Sequence, residues 1–226
     1  MIYSRRKRQL TVRLPGIVAW LALLAWAANF SACGSSEERI TPDEAGRQII
    51  VSLADLPSGS QQANEPLAEE RCSPASHFRK YAQSVVSTPG FYLPKDQLLQ
   101  QVGIFKKPSE ASKAFRQVLS VKARRCVEGT MQATSIGLSG SKGVITSRRL
   151  PDLALGDVTA KGIRLHFTHP LGRLDLEQTT MVDGRALTTL TFVSQNHSLS
   201  RNVWRAVANS TAAALHRTSS SLEARG

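Results

Sequence analysis

Apolar residues form one unbroken block and, further along, several spaced patterns. Residues 17–28 (IVAWLALLAWAA) are apolar throughout and follow a leader carrying Arg5, Arg6, Lys7, Arg8 and Arg13. That block is about two turns too short to span a bilayer comfortably, and with its basic leader it predicts an export signal. Beyond it, Thr41-Pro42-Asp43-Glu44 opens a helix. Thr41 serves as cap, Pro42 suits the first helical position, and Glu44 reaches back to the cap. Ile49, Ile50 and Leu53 follow before Leu56-Pro57 stops it. Phe78, Tyr81 and Val85 predict a short helix within 73–87, broken by Pro89-Gly90, and residues 98–105 read as a strand. Lys107-Pro108-Ser109-Glu110 starts a second clear helix, with Ala111, Phe115, Val118 and Leu119 on one stripe. Lys122, Arg124 and Arg125 fall in its last turn, where the helix dipole favours cations.

The second half turns to strands. Residues 144–150 and 163–169 are β-branched and alternating, and 174–182 and 185–193 flank Asp183-Gly184, a type I′ hairpin signal. A closing helix over 200–216 offers Val203, Trp204, Val207 and Ala214 for docking, and the Ser-rich tail 218–226 is expected to be disordered. The pattern as a whole is α+β: a single antiparallel β-sheet flanked by about three helices.

Phe30-Ser31-Ala32-Cys33-Gly34-Ser35-Ser36 follows the apolar block. Small residues before a cysteine and small polar ones after it resemble the lipobox of bacterial lipoproteins. That resemblance implies S-diacylglycerol on Cys33, cleavage after Ala32, and N-acylation of the new amino terminus, with palmitate the typical chain. It divides the chain into a signal peptide (1–32), a lipid-anchored tether (33–40), one extracytoplasmic domain (41–217) and the tail (218–226). The expected location is the extracytoplasmic face of the cell membrane. Two other readings stay open. Ala25-Trp26-Ala27 has the spacing of an ordinary signal-peptidase site, which would release a secreted protein, and 14–32 left uncleaved would be an anchor. Arg5-Arg6 is followed by Lys7-Arg8-Gln9 rather than apolar residues, so the general secretory route is expected over twin-arginine export.

Lipid on Cys33 leaves Cys72 and Cys126 as a pair, which outside the cytoplasm is normally oxidised. Closing that loop of about 55 residues stabilises a fold by about 4 kcal/mol on the chain-entropy model. The alternative is two separate buried thiols. No Cys-x-x-Cys is present, so the bond is expected to be structural. Charge changes as well. Five of the 29 basic residues and none of the 17 acidic ones precede Cys33, so the net charge falls from +12 to +7 beyond it. No dense Lys/Arg block is interleaved with aromatics, which argues against nucleic acid as a partner. Anionic headgroups and cell-wall polymers are the expected neighbours.

Motifs for chemistry are few. His166 and His169 are three apart, and on a strand that offset points the rings to opposite faces, so surface histidines are expected rather than metal ligands. His77, His197 and His216 are isolated in sequence. Residues 137–143 (GLSGSKG) lack the gap of a phosphate loop and read as a mobile loop. Asp175 and Glu177, two apart on one strand face, read as a solvated face rather than an acid–base pair. Neither a Gly-x-Ser-x-Gly elbow nor Ser-x-x-Lys with its partner motifs occurs. Enzyme activity is not supported, and no catalytic, cofactor-binding or metal residue is assigned. The assigned site residues are Cys33 for lipid and Cys72 with Cys126 for the disulfide.

An ordered set of short motifs carries a family resemblance: Leu53-Ala54-Asp55-Leu56-Pro57-Ser58-Gly59, Cys72, Val102-Gly103-Ile104-Phe105, Ala111, Ala114 and Phe115, Arg125-Cys126, and Leu155-Gly156-Asp157. It resembles the extracellular sensor domain of mycobacterial receptor-type serine/threonine kinases, and the actinobacterial lipoproteins that carry this domain without a kinase. The resemblance spans 45–217. It departs at two points: only one disulfide is available where the kinase domains can have two, and Ser60 stands where an aromatic often follows the Leu-Pro-x-Gly turn. What it implies is extracytoplasmic binding of a lipid, a cell-wall fragment or a partner protein. An accessory subunit of an envelope enzyme or transporter is the second reading, and a hydrolase of unrecognised type the third. A deep apolar pocket would favour the first and a flat hydrophobic patch the second. Convergent histidine and acidic side chains with perturbed protonation would favour the third.

Overall fold

A computed structural model describes residues 40–63, 72, 74–170 and 172–224. Cys33, the leader 1–32 and the tether before Ile40 lie outside the described residues. The elements begin with α1 (Pro42–Ile49), a 3-10 turn (Leu53–Asp55), β1 (Gln61–Gln62) and α2 (Pro74–Phe78). Next come β2 (Ala82–Ser87), β3 (Phe91–Tyr92), β4 (Asp96–Phe105), α3 (Pro108–Val118) and α4 (Val121–Ser139). The strand-rich half holds β5 (Val144–Arg149), β6 (Leu153–Leu155), β7 (Val158–His169), β8 (Gly172–Asp183) and β9 (Ala186–Gln195), and α5 (Arg201–Glu223) closes the chain. All nine strands belong to one antiparallel sheet of order β1-β3-β4-β9-β8-β7-β5, with β2 on β4 and β6 on β7. The class is α+β as expected, with a larger sheet and more helices than the sequence predicts.

Local chemistry explains the starts. Thr41 Oγ1 accepts from Glu44 N at 3.3 Å while Thr41 N donates to Glu44 Oε2 at 2.9 Å, the reciprocal cap expected of α1. At α3, Lys107 N donates to Glu110 Oε2 at 3.2 Å, and Pro108 fills the first turn.

Several expectations are corrected. The first helix ends at Ile49, and Leu53–Asp55 is a separate 3-10 turn. The helix predicted within 73–87 is only α2; Val85 lies in β2, held to β4 by its ladder. The helix opened at Pro108 breaks at Leu119-Ser120, where Ser120 Oγ accepts from Ala123 N at 3.1 Å and starts α4. Lys122, Arg124 and Arg125 therefore sit at the beginning of a helix, not in a last turn that would favour them. Residues 137–139 are the last turn of α4, not a mobile loop; Gly140, at φ +70°, caps it and donates to Ile136 O at 2.8 Å. The β8–β9 connection is Gly184-Arg185 rather than Asp183-Gly184, because Asp183 pairs with Ala186. Of the two turn residues only Gly184 has positive φ (+47°). Arg185 is held in the turn by Phe105: its Nε donates to Phe105 O at 2.9 Å and its O accepts from Phe105 N at 2.8 Å. Finally, residues 218–223 are helical rather than disordered. Thr218 and Ser219 are buried, and Ser219 Oγ donates to Asp183 O at 3.0 Å.

Two cores sandwich the sheet. On one face α1 and α5 cover Leu98, Val102, Ile104, Met181, Leu190 and Phe192, with Ile49, Trp204, Val207 and Leu215 among the buried helix residues. On the other, Phe78, Ala111, Ala114, Phe115 and Val118 of α2 and α3 pack with Phe105 and Leu187. A disulfide joins Cys72 to Cys126, Cα–Cα 5.5 Å, fastening the segment before α2 to α4.

Candidate functional site

Strand register brings a set of charged residues together that the sequence scatters. In the β7–β8 ladder, Arg164 lies opposite Glu177, His166 opposite Asp175 and Thr168 opposite Arg173. The period of two along each strand puts all of them on the face that carries α5. On the far side of β7, Thr146 and Arg148 of β5 continue the two rows opposite His166 and Arg164. On the near side, Asp175 neighbours Ser194 of β9, which in turn neighbours Asp96 of β4.

The N-terminus of α5 forms one wall. Trp204 Nε1 donates to Thr179 Oγ1 at 3.3 Å, which fixes this part of α5 over β8. One turn earlier, Arg201 Nη1 donates to Glu177 Oε1 at 3.2 Å. The other oxygen of Glu177 receives Arg164, through Nε at 2.8 Å and through Nη2. Arg173 grips both oxygens of Asp175, Nε to Oδ1 at 3.0 Å and Nη2 to Oδ2 at 2.5 Å. His166 Nδ1 lies 2.5 Å from Asp175 Oδ1.

Burial is graded. The Asp175 and Glu177 side chains are 7% and 3% exposed, whereas Arg173 and Arg201 are 43% and 50% exposed. Buried acids hold the guanidinium groups of side chains that stay about half exposed. Burial by itself would raise the Asp175 pKa; hydrogen bonds from Arg173 and His166, and the charges of both, outweigh it and hold the carboxyl below its ordinary value. The same contact raises the pKa of Arg173. A carboxylate kept ionised by these contacts is a fixed counter-charge. Acid–base work near neutrality needs a shift in the opposite direction.

The expected solvated face at Asp175 and Glu177 is thus a buried ionic cluster, because partners from β7 and α5 cover it. His166 and His169 point to opposite faces as expected. His169 Nε2 lies 2.8 Å from the hydroxyls of both Ser139 and Ser141, and its ring stacks on Phe167 at 6.1 Å. His197 Nε2 is 2.6 Å from Lys95 O, and His216 Nδ1 is 2.8 Å from Asp183 Oδ2. The side chain of His77 lies outside the described residues. Among the described residues no group of three or more histidine, cysteine or acidic side chains is arranged to hold a metal. A hollow beside the disulfide, lined by Cys72, Pro74, Val118, Ala123 and Val127, admits only a water-sized sphere, so no ligand cleft opens there.

Sequence reasoning passed over Arg164, Arg173 and Arg201. A signal for Arg164 exists: Arg164 and Glu177, like His166 and Asp175, are equidistant from the β7–β8 turn, as cross-strand partners in one hairpin must be.

No protein-family model matches the chain, and no curated protein matches it. Among solved structures it is similar to the extracellular domain of PknH from Mycobacterium tuberculosis, with 8% identity, 78% of this chain and 97% of that one covered, and a TM-score of 0.48. It is also similar to PA94, a protein of unknown function from Pseudomonas aeruginosa, with 12% identity, 49% and 67% of the two chains covered, and a TM-score of 0.23. At these scores the likenesses carry no functional weight.

Proposed function

We propose that this chain is a membrane-tethered extracytoplasmic domain, lipidated at Cys33, that acts by binding in the manner of a sensor domain rather than by catalysis. One observation carries the reading: Cys72 and Cys126 are joined to each other, leaving Cys33, the cysteine at the end of the export signal, as the one outside the bond. A structural disulfide belongs to an oxidising compartment, and a lone cysteine behind a basic, apolar leader belongs to lipid attachment. The ionic face of β7, β8 and α5 supplies the binding surface, because its acids are committed to cations and its guanidinium edges are open to solvent. Metabolic labelling with a fatty-acid analogue tests the tether. The wild-type chain should take up label and sediment with membranes, and Cys33→Ala should do neither; label retained in that variant overturns the assignment.

A further inference from the structure

We infer that the ionic face is a binding site for a phosphate-type oxyanion. The inference rests on the reading of the chain as a binding domain and names its ligand class. Charge is the first ground. Arg148, Arg164, Arg173 and Arg201 bring four guanidinium groups to one end of one sheet face, against the carboxylates of Asp175 and Glu177. Asp96, the next acid along the row, takes a hydrogen bond from the neutral Ser194 hydroxyl, with His197 Nδ1 at 3.7 Å, so four guanidinium groups face three carboxylates and one positive charge is in surplus.

Geometry is the second ground. Each guanidinium has five N–H donors in a planar fork that matches oxyanions in pairs of bonds. Arg173 uses its Nε and one terminal nitrogen on Asp175, and Arg201 gives one terminal nitrogen to Glu177. Their remaining donors lie on half-exposed groups whose positions are already fixed from beneath. Arg201 is steadied again by the Trp204 ring, 6.0 Å away. Fixing the cations in advance removes much of the ordering cost that flexible surface lysines would incur on binding. The α5 N-terminus opens at the same spot, and Ser200 makes no side-chain cap there, so the helix end adds positive potential beside Arg201. A phosphate offers up to four acceptor oxygens to the remaining donors of Arg173 and Arg201, where a carboxylate offers two.

The test titrates the full lipidated chain with inorganic pyrophosphate, by calorimetry, after reconstitution into phosphatidylcholine vesicles and, in a second arm, into phosphatidylglycerol vesicles. Saturable binding is expected in both. Arg173→Gln and Arg201→Gln should each weaken it about tenfold, the value of one charge-assisted hydrogen-bond pair. Lys161→Gln, on the other face of β7, should leave it unchanged. Each arginine variant still leaves its buried acid a partner, His166 or Arg164, and near-UV circular dichroism checks folding. If both variants unfold, Arg148→Gln replaces them, with a loss of about threefold expected from an outer charge. No saturable binding, or equal binding in wild type and folded variants, overturns the site. Binding kept in both arms assigns the site to phosphate from outside the bilayer; binding in phosphatidylcholine that is lost in phosphatidylglycerol assigns it to lipid headgroups. A chain that carries label on Cys33 yet ignores pyrophosphate loses the ligand class and keeps the tether. Pyrophosphate binding by an unlabelled chain in solution does the reverse.

Discussion

Asp183 at one end of β8 meets His216 of α5, and Asp175 near the other end meets His166 of β7. Both are histidine–aspartate pairs on one strand, yet their surroundings differ. Around Asp183 the partners come from a single helix: His216 at its side chain and Ser219 at its carbonyl, with Gly184 beside them so that the last turns of α5 lie against the hairpin. That end works as a dock. Around Asp175 and Glu177 the partners come from three elements and are mostly arginines, more cations than the two acids can neutralise. The contrast shows that an ion pair is not informative by type. What separates the two ends is the surplus of arginines around the acids and not exposure, since the His216 side chain is 50% exposed, the same as Arg201.

The largest effect should come from the arginine-rich end. Glu177→Ala leaves Arg164 and Arg201 without their buried counter-charge and should cost about 3 kcal/mol or more in urea unfolding. A loss below about 1 kcal/mol would mean that water screens the cluster as it does a surface pair, and the contrast between the two ends would fall. The dock comes next. Gly184→Val puts a branched side chain at φ +47° and drives its Cβ into Ser219 and Glu223. A cost of about 1–3 kcal/mol is expected. Hydrogen exchange should rise in 217–223 while the Arg164–Glu177 end stays protected; unchanged exchange in 217–223 would show that α5 does not depend on the hairpin.

The finest measurement concerns pH. The Asp175 carboxyl is held below its ordinary 3.8, so the unfolded chain binds that proton more readily than the folded one. The contribution is present above that value and is lost as pH falls through the lower, folded one. Stability should therefore drop below about pH 4, and Asp175→Asn should flatten part of that drop. Glu44 and Asp55 are also lowered, by their bonds to Thr41 and Ser52, so the wild-type minus variant difference is the quantity to follow. Parallel profiles would remove Asp175 from the acid response.

Much of the fold was legible because its signals are local. The Thr41–Glu44 cap, the Pro108–Glu110 start and the β8–β9 hairpin each depend on residues within a few positions of one another. Other features escaped because a competing local pattern masked them. The apolar stripe of α3 carries on to Leu119 with no break in period, and Ser120 becomes a cap only because the chain turns there. Strands β1, β3 and β6 are two or three residues long, too short for alternation to register, and exist through their partners' ladders. The hairpin turn slipped by one residue because Arg185 is held by Phe105, 80 positions away. The ionic face was hidden for the same reason: Asp175 and Glu177 look solvated until β7 and α5 supply Arg164, His166 and Arg201.

The sequence by itself determined the starts of α1 and α3, the two-residue alternation of the long strands and the α+β class, since capping, turn chemistry and side-chain period act over a few residues. Its leader and Cys33 carry the export and lipid expectation, which rests on sequence alone. Tertiary structure decided where α3 ends, that 218–223 continues α5, and that scattered arginines share one face. Register and burial are collective properties: they depend on which strand lies beside which, and water leaves a carboxylate only when several distant segments close over it together.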